Sequence, residues 1–374
     1  MTQKIDNLTS LRCFAAWSIV FYHLQGVVLP MPSMPQFALG VSFFFVLSGF
    51  ILAVVYNGMT WADLPRFYLH RIARIWPVHL FMMAVVMFLF DPFGLLSEFW
   101  RPVILLNAVL LHAWIPQSGH VFSMNPVSWS ISTELAFYLV FPLLVMFRPV
   151  WKSVSIVALL VGLLLLGIDR LGGPIVSSPP WVNSVEVFIL QNPAIRLLEF
   201  AVGVLAGDLF VRRGALSRRG GTVLEMLVLA TLAVFVLSNG SVSAWLGASL
   251  SPVIGLWYGQ SGGLLVFAAL IYVFALQRGA LSAALKCRPL VFLGEISFCT
   301  YMVHYPIILY GRKSAWMDQA PWQVVALFVV LATLVASWLV WYSVERPGRK
   351  WIAGLYSPAA RRDREVLRAR LEAD

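Results

Sequence analysis

The amino-acid sequence predicts an all-α polytopic membrane protein of about ten transmembrane helices, with one or two interfacial or re-entrant helices in addition. Three observations lead to this fold class. The chain has 374 residues, of which 60% are hydrophobic. Only 12% are charged, against roughly 25% in ordinary soluble domains. The apolar residues lie in stretches long enough to cross a bilayer, which takes about 20 residues per helix.

The predicted spans follow from this length criterion. They are residues 8–29, 38–58, 75–95, 126–147, 153–168, 193–211, 222–238, 260–277, 289–310 and 322–344. The apolar stretch 101–116 is short, so we predict an interfacial or re-entrant helix there, and likewise from Trp245 to Tyr258. Counting one of them as a span gives about eleven. Residues 1–350 are then one transmembrane domain, and residues 351–374 are a basic cytoplasmic tail.

The basic residues predict that both chain termini face the cytoplasm. In that orientation about 21 of the 27 Lys and Arg residues fall in cytoplasmic segments and about four fall outside. This bias, with attraction to anionic membrane lipids, explains the net charge of +10, so we expect no nucleic-acid partner. We expect the inner or plasma membrane. No small-x-small cleavage site follows the first span, so we expect no cleaved signal peptide.

The first span, "SLRCFAAWSIVFYHLQG", contains two ionisable residues. Arg12 and His23 are eleven residues apart, about three helical turns and 16 Å, so both lie on one helix face. An ionisable group at membrane depth is costly and indicates a functional site. The alternative is that Arg12 reaches the headgroups and His23 is an ordinary core histidine.

The fourth span begins with "NPVSWSISTELAFY". Asn125 is a predicted helix cap, and Ser130, Glu134 and Tyr138 lie on one stripe at i, i+4 spacing. A carboxylate within a span needs a cationic or hydrogen-bonding partner. The arginine and histidine of the first span are the candidates, and a purely structural arginine–glutamate pair is the alternative.

The segment "FLGEISFCTYMVHYPII" contains a second deep histidine. His304 and His23 are both about 15 residues into their spans, so helix rise places them at similar depth. Two histidines at one level predict a polar pocket. No metal is expected, because neither a His-x-x-His nor an HExxH pattern accompanies them.

The segment "LPRFYLHRIARIWP", residues 64–77, predicts an amphipathic cytoplasmic helix between the second and third spans. Arg66, His70, Arg71 and Arg74 fall on one arc of its helical wheel. One interpretation is that this face binds lipid headgroups. The sharper interpretation is that Arg71 and Arg74 clasp the phosphates of a cytoplasmic ligand.

Together these features predict a route through the membrane. It begins at phosphate-binding arginines, passes an arginine at the mouth of the first span and reaches a deep histidine with a carboxylate. A histidine is suited to remove a proton from a hydroxyl that attacks a carbonyl. A ligand with a phosphate-rich head and a long arm ending in a thioester fits this route, and coenzyme A has that shape.

From about Leu8 to Lys350 the sequence resembles the membrane-bound acyltransferase 3 family. The motifs that carry the likeness, in chain order, are "LTSLRCFAAWSIVFYH", "GVSFFFVLSGF" with Ser48, the RxxR from Arg71 to Arg74, "VSWSISTELAFYLVFPLL", "LGEISFCTYMVHYPI" with Tyr301 and His304, and "VERPGRKW". Each motif alone is weak, and six in order are a specific signal.

The resemblance implies an integral-membrane O-acyltransferase. Acetyl-CoA, as co-substrate, would bind from the cytoplasm with its phosphates at Arg71 and Arg74. His23 would act as general base on a hydroxyl of an exported polysaccharide or lipid-linked glycan. Arg12 would guide the arm or polarise the acyl carbonyl, and Glu134 would orient or charge the catalytic pair. The residues expected to line the substrate pocket are Ser48, Ser130, Tyr138, Tyr301 and His304.

Several alternatives remain open from the sequence. The acyl group could be acetyl, succinyl or longer, and it could pass directly or through a covalent intermediate on His23 or Ser130. The rival class is a proton-coupled secondary transporter of a small polar solute. The resemblance implies that relatives ending in a short tail modify polysaccharide or lipid-linked glycan without a hydrolase-like domain, and we expect the same here. Ser42, Cys13 and Phe298 depart from the usual family residues.

Overall fold

The computed structural model describes residues 5–25, 28–30, 32, 34–90, 98–171, 179–212 and 218–356. All regular secondary structure in these residues is helical, which confirms the all-α class. The α-helices within them are α1 Asp6–Leu24, α2 Gly40–Val55, α3 Leu64–Phe90, α4 Trp100–Ala108, α5 Ser118–Val121, α6 Trp129–Met146, α7 Val150–Leu171, α8 Val185–Gln191, α9 Pro193–Val211, α10 Arg218–Ser249, α11 Pro252–Ser261, α12 Leu264–Ala275, α13 Ala280–Ala284, α14 Arg288–Glu295, α15 Ser297–Lys313, α16 Ala315–Gln319, α17 Trp322–Val340 and α18 Arg346–Gly354. Short 3₁₀ helices lie at Pro35–Leu39, Trp61–Asp63, His112–Trp114 and Pro126–Ser128, and a π-helical turn at Trp341–Glu345.

The described part of the chain contains seven helical segments that are long and apolar enough to cross a bilayer. They are Pro35–Val55, Trp61–Leu89, Pro126–Met146, Val150–Leu171, Gly220–Ser249, Pro252–Ala275 and Trp322–Gly354. The pair α14 and α15 makes an eighth if it is one span, bent by 62°. The protein is therefore a multi-pass membrane protein, but a count of ten is not confirmed.

If the bent pair is counted, the two predicted spans at 8–29 and 193–211 account for the difference between ten and eight. Each forms a helix, α1 and α9, but neither is among the seven long apolar segments. The reason is that both helices contain ionisable residues, including Arg12 and His23 on α1 and Arg196 and Glu199 on α9. On α1, the ionisable residues that indicate a functional site also weaken the apolar signal of the helix.

The arginine-rich segment 64–77 is not a separate helix. It is the first half of α3, which continues through Pro77 into the predicted third span. Residues 91–95 of that span lie outside the described part of the chain. Because the helix is continuous, its arginine-bearing end is rigidly joined to a membrane-crossing segment.

The two predicted interfacial segments have different outcomes. The stretch 101–116 forms the short helix α4 and a 3₁₀ turn, and it is not one of the seven long segments. The stretch from Trp245 to Tyr258 is instead divided between the end of α10 and the start of the segment Pro252–Ala275. Of the predicted tail, residues 351–354 continue α18, and residues 357–374 lie outside the described residues.

Helices α2 and α9 cross in close contact because glycines lie where they meet. A Cβ atom added to Gly49 would collide with the backbone carbonyl of Phe200, and one added to Gly203 would collide with that of Val46. A Cβ on Gly207 would lie 2.6 Å from the carbonyl oxygen of Phe50. Small residues four apart allow membrane helices to approach this closely. The crossing fixes the position of α2, which contributes to the site described below.

Replacing Gly203 by Ala is expected to lower the thermal unfolding midpoint of the detergent-solubilised protein. The new methyl group must push α2 and α9 apart, and overpacking of this kind typically costs about 1–3 kcal/mol. The matched control is Gly162→Ala on α7, where an added Cβ meets nothing within 4 Å. Equal midpoints for the two variants would contradict the close crossing.

Candidate active site

Helix α1 contributes to two different cavities, which are separated along its axis. Arg12 lines a cavity of about 170 Å³, here named the arginine cavity because Arg71 and Arg74 also line it. His23 lines a cavity of about 210 Å³, here named the histidine cavity. Eleven helical residues between Arg12 and His23 correspond to a rise of about 16 Å.

The arginine cavity brings together most of the residues that the sequence singled out. Residues of α1, α2, α3, α6 and α15 form its wall. The predicted site residues on that wall are Arg12, Ser48, Arg71, Arg74, Ser130, Glu134, Tyr138 and Tyr301. The remaining two are elsewhere: His23 lines the histidine cavity, and His304 is fully buried next to it.

Arg71 presents a positive charge that no described carboxylate pairs. Its guanidinium carbon lies 5.7 Å from the ring centroids of Tyr56 and Tyr138, and its Nε is buried without a hydrogen-bond partner. Cation–π contacts hold a cation in place without cancelling its charge. Arg71 is therefore free to bind an anion in the arginine cavity.

Arg74, the other half of the RxxR motif, is held by a buried carboxylate. It forms an ion pair with Glu345, which is fully buried in the π-helical turn. The Oε2 of Glu345 also accepts a hydrogen bond from the Cys299 thiol at 3.1 Å. Phe298 packs its ring 5.1 Å from the Arg74 guanidinium carbon. The two arginines thus differ: Arg71 is unpaired among the described residues, and Arg74 is ion-paired with Glu345, which Arg349 also contacts at 3.5 Å.

Glu134 is hydrogen-bonded within its own wall of the cavity. Its Oε1 accepts hydrogen bonds from Ser48 at 3.0 Å and from Tyr138 at 2.5 Å. In the described structure Glu134 forms no ion pair with Arg12, although both line the arginine cavity. The predicted contact of this carboxylate with His23 is also absent from the described residues.

His23 is paired with the other deep histidine, as the similar depth of the two predicts. The Nδ1 of His23 lies 3.0 Å from the Nε2 of His304, and the Nδ1 of His304 lies 3.1 Å from the carbonyl oxygen of Thr300. A carbonyl only accepts, so neutral His304 carries its proton on Nδ1 and accepts at Nε2. His23 must then donate from Nδ1, which leaves a lone pair on its Nε2.

The histidine cavity has aromatic and polar walls. Its lining residues are Tyr22, His23, Gln25, Tyr305, Ile308, Leu309 and Arg312. The rings of Tyr22 and Tyr305 contact the imidazole of His23 edge-on, with centroid distances of 5.0 and 4.9 Å. These contacts fix the plane of the imidazole, which is half-buried between the two tyrosines.

Tyr301 and His304 stand between the two cavities. Tyr301 lines the arginine cavity, and its hydroxyl accepts a hydrogen bond from Ser130 at 2.8 Å and donates one to the Val127 carbonyl at 2.8 Å. Its ring centroid lies 5.9 Å from that of His304, which in turn contacts His23. Two buried side chains therefore separate the arginine cavity from the histidine cavity.

Sequence reasoning missed a buried ion pair behind the arginine cavity. The Nε of Arg196 lies 2.9 Å from the Oε2 of Glu199, and both side chains are almost fully buried. The hydroxyl of Ser42 donates a hydrogen bond to Glu199 and accepts one from Arg196 at 3.3 Å. The sequence does contain a pattern that indicates this pair, because an arginine and a glutamate stand three residues apart within an otherwise apolar stretch.

Asn125 takes the predicted N-cap position, but its side chain makes no capping bond to the helical turn that follows it. Its Nδ2 donates instead to the Met302 carbonyl at 2.9 Å, which ties the start of α6 to α15. The described residues contain no group of three or more His, Cys, Asp or Glu side chains that could hold a metal ion.

Comparison with known proteins identifies relatives along nearly the whole chain. A family described as an acyltransferase domain matches residues 5–342. The chain is 27% identical to the acyltransferase MdmB of Streptomyces mycarofaciens, over 92% of this chain and 91% of that protein. No solved structure matches it.

Two further relatives are longer than this chain. The chain is 24% identical to the O-acetyltransferase OatA of Staphylococcus aureus, over 92% of this chain and 57% of that protein. It is 25% identical to the peptidoglycan O-acetyltransferase OatA of Listeria monocytogenes, over 92% of this chain and 56% of that protein. The chain therefore spans a little over half the length of these two relatives.

Proposed function

The chain belongs to the acyltransferase domain family, and from this premise we propose that it transfers a short acyl group, acetyl, from cytoplasmic acyl-CoA to a hydroxyl of a glycan. The observation that carries this proposal is the pair of cavities at two levels of α1, one with an unpaired arginine and one with a histidine lone pair. Because the family match indicates an acyltransferase, we favour this function over the transporter alternative.

We assign the arginine cavity to the donor. Its unpaired Arg71 would bind a phosphate of CoA, because a guanidinium forms charge-assisted bonds to phosphate oxygens. Arg74 would contribute less charge, since Glu345 already pairs it. Arg12 lines this cavity about 16 Å along α1 from His23, so we assign it to guiding the arm of CoA rather than to the acyl carbonyl.

We assign the histidine cavity to the acceptor. The Nε2 of His23 accepts the proton of the acceptor hydroxyl as its oxygen attacks the thioester carbonyl carbon. A carbon–oxygen bond forms, the carbon–sulfur bond breaks, and its electron pair leaves with the sulfur of CoA. The proton on His23 then passes to this thiolate. His304 acts as a positioning residue, because its Nε2 keeps the proton of His23 on Nδ1.

Tyr301 and His304 must give way for direct transfer, since they separate the two cavities. We propose this direct route over a covalent intermediate on Ser130, because that serine is hydrogen-bonded to Tyr301 and lies on the donor side. Rapid quench with labelled acetyl-CoA distinguishes the two routes. Label that stays on the protein after denaturation would contradict direct transfer.

We propose a glycan acceptor in the inner membrane or at the cell surface. The names of two relatives include O-acetyltransferase, and one of these proteins is named for peptidoglycan. We further propose that both termini are cytoplasmic, since this orientation places most Lys and Arg residues inside. The arginine cavity then opens toward the compartment that contains acyl-CoA.

The test of this function is thiol release from acetyl-CoA by the purified protein, supplied with an extract of surface glycans. Glycan-dependent release with acetyl recovered on the glycan is the expected result. Release of thiol without any acetylated product would indicate hydrolysis and contradict the proposal. Exchange of a solute across vesicles without thioester consumption would restore the transporter alternative.

Replacing Arg71 by Gln is expected to raise the KM for acetyl-CoA about 10- to 100-fold with little change in kcat. The loss corresponds to one charge-assisted bond made equally in the ground state and the transition state. The control is Arg66→Gln, which removes an exposed charge of the same helix outside the cavity. An unchanged KM in Arg71→Gln would exclude the arginine cavity as the donor site.

A further inference from the structure

The histidine cavity contains a cation that the reaction described above does not use. Arg312 lines the cavity near the end of α15, and its side chain is exposed. No carboxylate of the described residues forms an ion pair with it. An exposed arginine near the end of a membrane helix is usually solvated by water or in contact with lipid headgroups. Arg312 lies in the wall of a cavity that also contains His23, which favours a role in binding a ligand there.

The cavity also contains a buried donor without an acceptor. Gln25 is 8% exposed, and its Oε1 accepts a hydrogen bond from the backbone N–H of Met34 at 2.6 Å. That bond fixes the orientation of the amide, and its Nε2 is left buried with no partner. An unsatisfied buried donor costs free energy, so it indicates a group that a ligand completes.

The spacing along α15 sets the distance between the charge and the reacting group. Tyr305, which contacts the imidazole of His23, and Arg312 are seven residues apart, which is about two turns and 10 Å along one helix face. A ligand that fills the cavity can therefore place one group at His23 and another at Arg312. The tyrosines at His23 offer ring faces and edges of the kind that pack on sugars.

We propose that the histidine cavity selects an acceptor sugar that carries a carboxylate or phosphate near the hydroxyl to be acylated, and that Arg312 recognises this negative charge. Gln25 donates to a ring or hydroxyl oxygen of the same sugar. The inference rests on the proposed function for the identity of the cavity as the acceptor site. The new elements are the negative charge of the acceptor sugar and Arg312 as the residue that selects for it.

The test is a binding measurement that does not depend on transfer. Digalacturonic acid and its dimethyl ester have the same rings and ring hydroxyls; the ester carries one extra methyl group per carboxyl and has no negative charge. Calorimetry or microscale thermophoresis with the protein in phosphatidylcholine nanodiscs is expected to give about 5- to 10-fold tighter binding of the acid. Arg312→Gln is expected to remove this preference, and added salt above about 0.1 M to weaken it.

The control is Arg170→Gln, at an exposed arginine near the end of α7 that lines neither cavity. Equal binding of acid and ester by the wild type, or binding of neither, overturns the proposal. A preference that survives in Arg312→Gln also overturns it. A further comparison uses nanodiscs in which phosphatidylglycerol replaces phosphatidylcholine. If the preference for the acid is lost only there, Arg312 binds anionic lipid headgroups and the acid only takes their place, which also contradicts the proposal.

Thiol release from acetyl-CoA, measured on the same preparations, separates the proposed acyltransferase function from the proposed charge selectivity of the histidine cavity. A wild type that acetylates neutral and anionic fractions of the glycan extract equally refutes the role of Arg312 and leaves the acyltransferase function intact. A wild type that prefers the acid in binding yet releases no thiol with any fraction refutes the proposed function and supports the charge-selective cavity. The two failures are therefore distinguishable.

Discussion

The His23→Asn variant is expected to lose acyl transfer by about 10²- to 10⁴-fold, the usual contribution of a general base, while it still binds acetyl-CoA. The asparagine Nδ2 takes the place of the imidazole Nδ1, so it can still donate to the Nε2 of His304. The Nε2 lone pair is lost. The variant therefore removes the base and keeps the donor of the histidine pair.

The measurement is acetylated glycan per unit of protein, together with the acetyl-CoA dissociation constant. The control is His70→Asn, a half-buried histidine on the arginine-bearing end of α3 that lines neither cavity. Retained transfer in His23→Asn would mean that the residue contributes only through its contact with His304. Lost CoA binding would mean that the two cavities are not independent.

The Arg196→Met variant is expected to destabilise the fold by about 3–5 kcal/mol, because it leaves the carboxylate of Glu199 buried without its cation. The pair lies against Phe45, whose ring centroid is 5.3 Å from the guanidinium carbon and which also lines the arginine cavity. The unfolding midpoint and the yield of monodisperse protein in detergent report the loss.

The double variant Arg196→Met and Glu199→Gln is the matched comparison. It removes the stranded charge, and replacement of a whole buried pair is often near neutral, so most of the stability is expected to return. If the double variant is as unstable as Arg196→Met alone, the ion pair contributes through packing and not through charge. An unaffected single variant would contradict the burial of Glu199.

Local periodicity explains which parts of the site could be predicted. The spacing of Ser130, Glu134 and Tyr138 depends only on helix geometry, and all three line the arginine cavity. For His23 and His304 the sequence predicts only a shared depth, because the contact between residues 281 positions apart depends on how their helices pack. Glu345 as the partner of Arg74, 271 positions away, left no local signal.

Helix number was harder to predict than helix position. The stretches around Arg12 and Arg196 form helices as predicted, but both contain charged residues and neither is among the seven long apolar segments. The polar face of residues 64–77 predicts a helix at the membrane surface. The structure continues that helix into the membrane, since the residues after Pro77 are apolar and nothing in the described backbone interrupts it.

The barrier formed by Tyr301 and His304 has a consequence for the energised cell. A water-filled path across a membrane would let ions flow down the electrical potential, which is worth about 2.3 kcal/mol per charge for each 100 mV. Two buried side chains between the cavities interrupt such a path. An uncharged acyl group, small and poorly hydrated, is the kind of cargo that passes such an insulating layer at least cost. Under the proposed function, the acyl group would cross this layer without opening a path for ions.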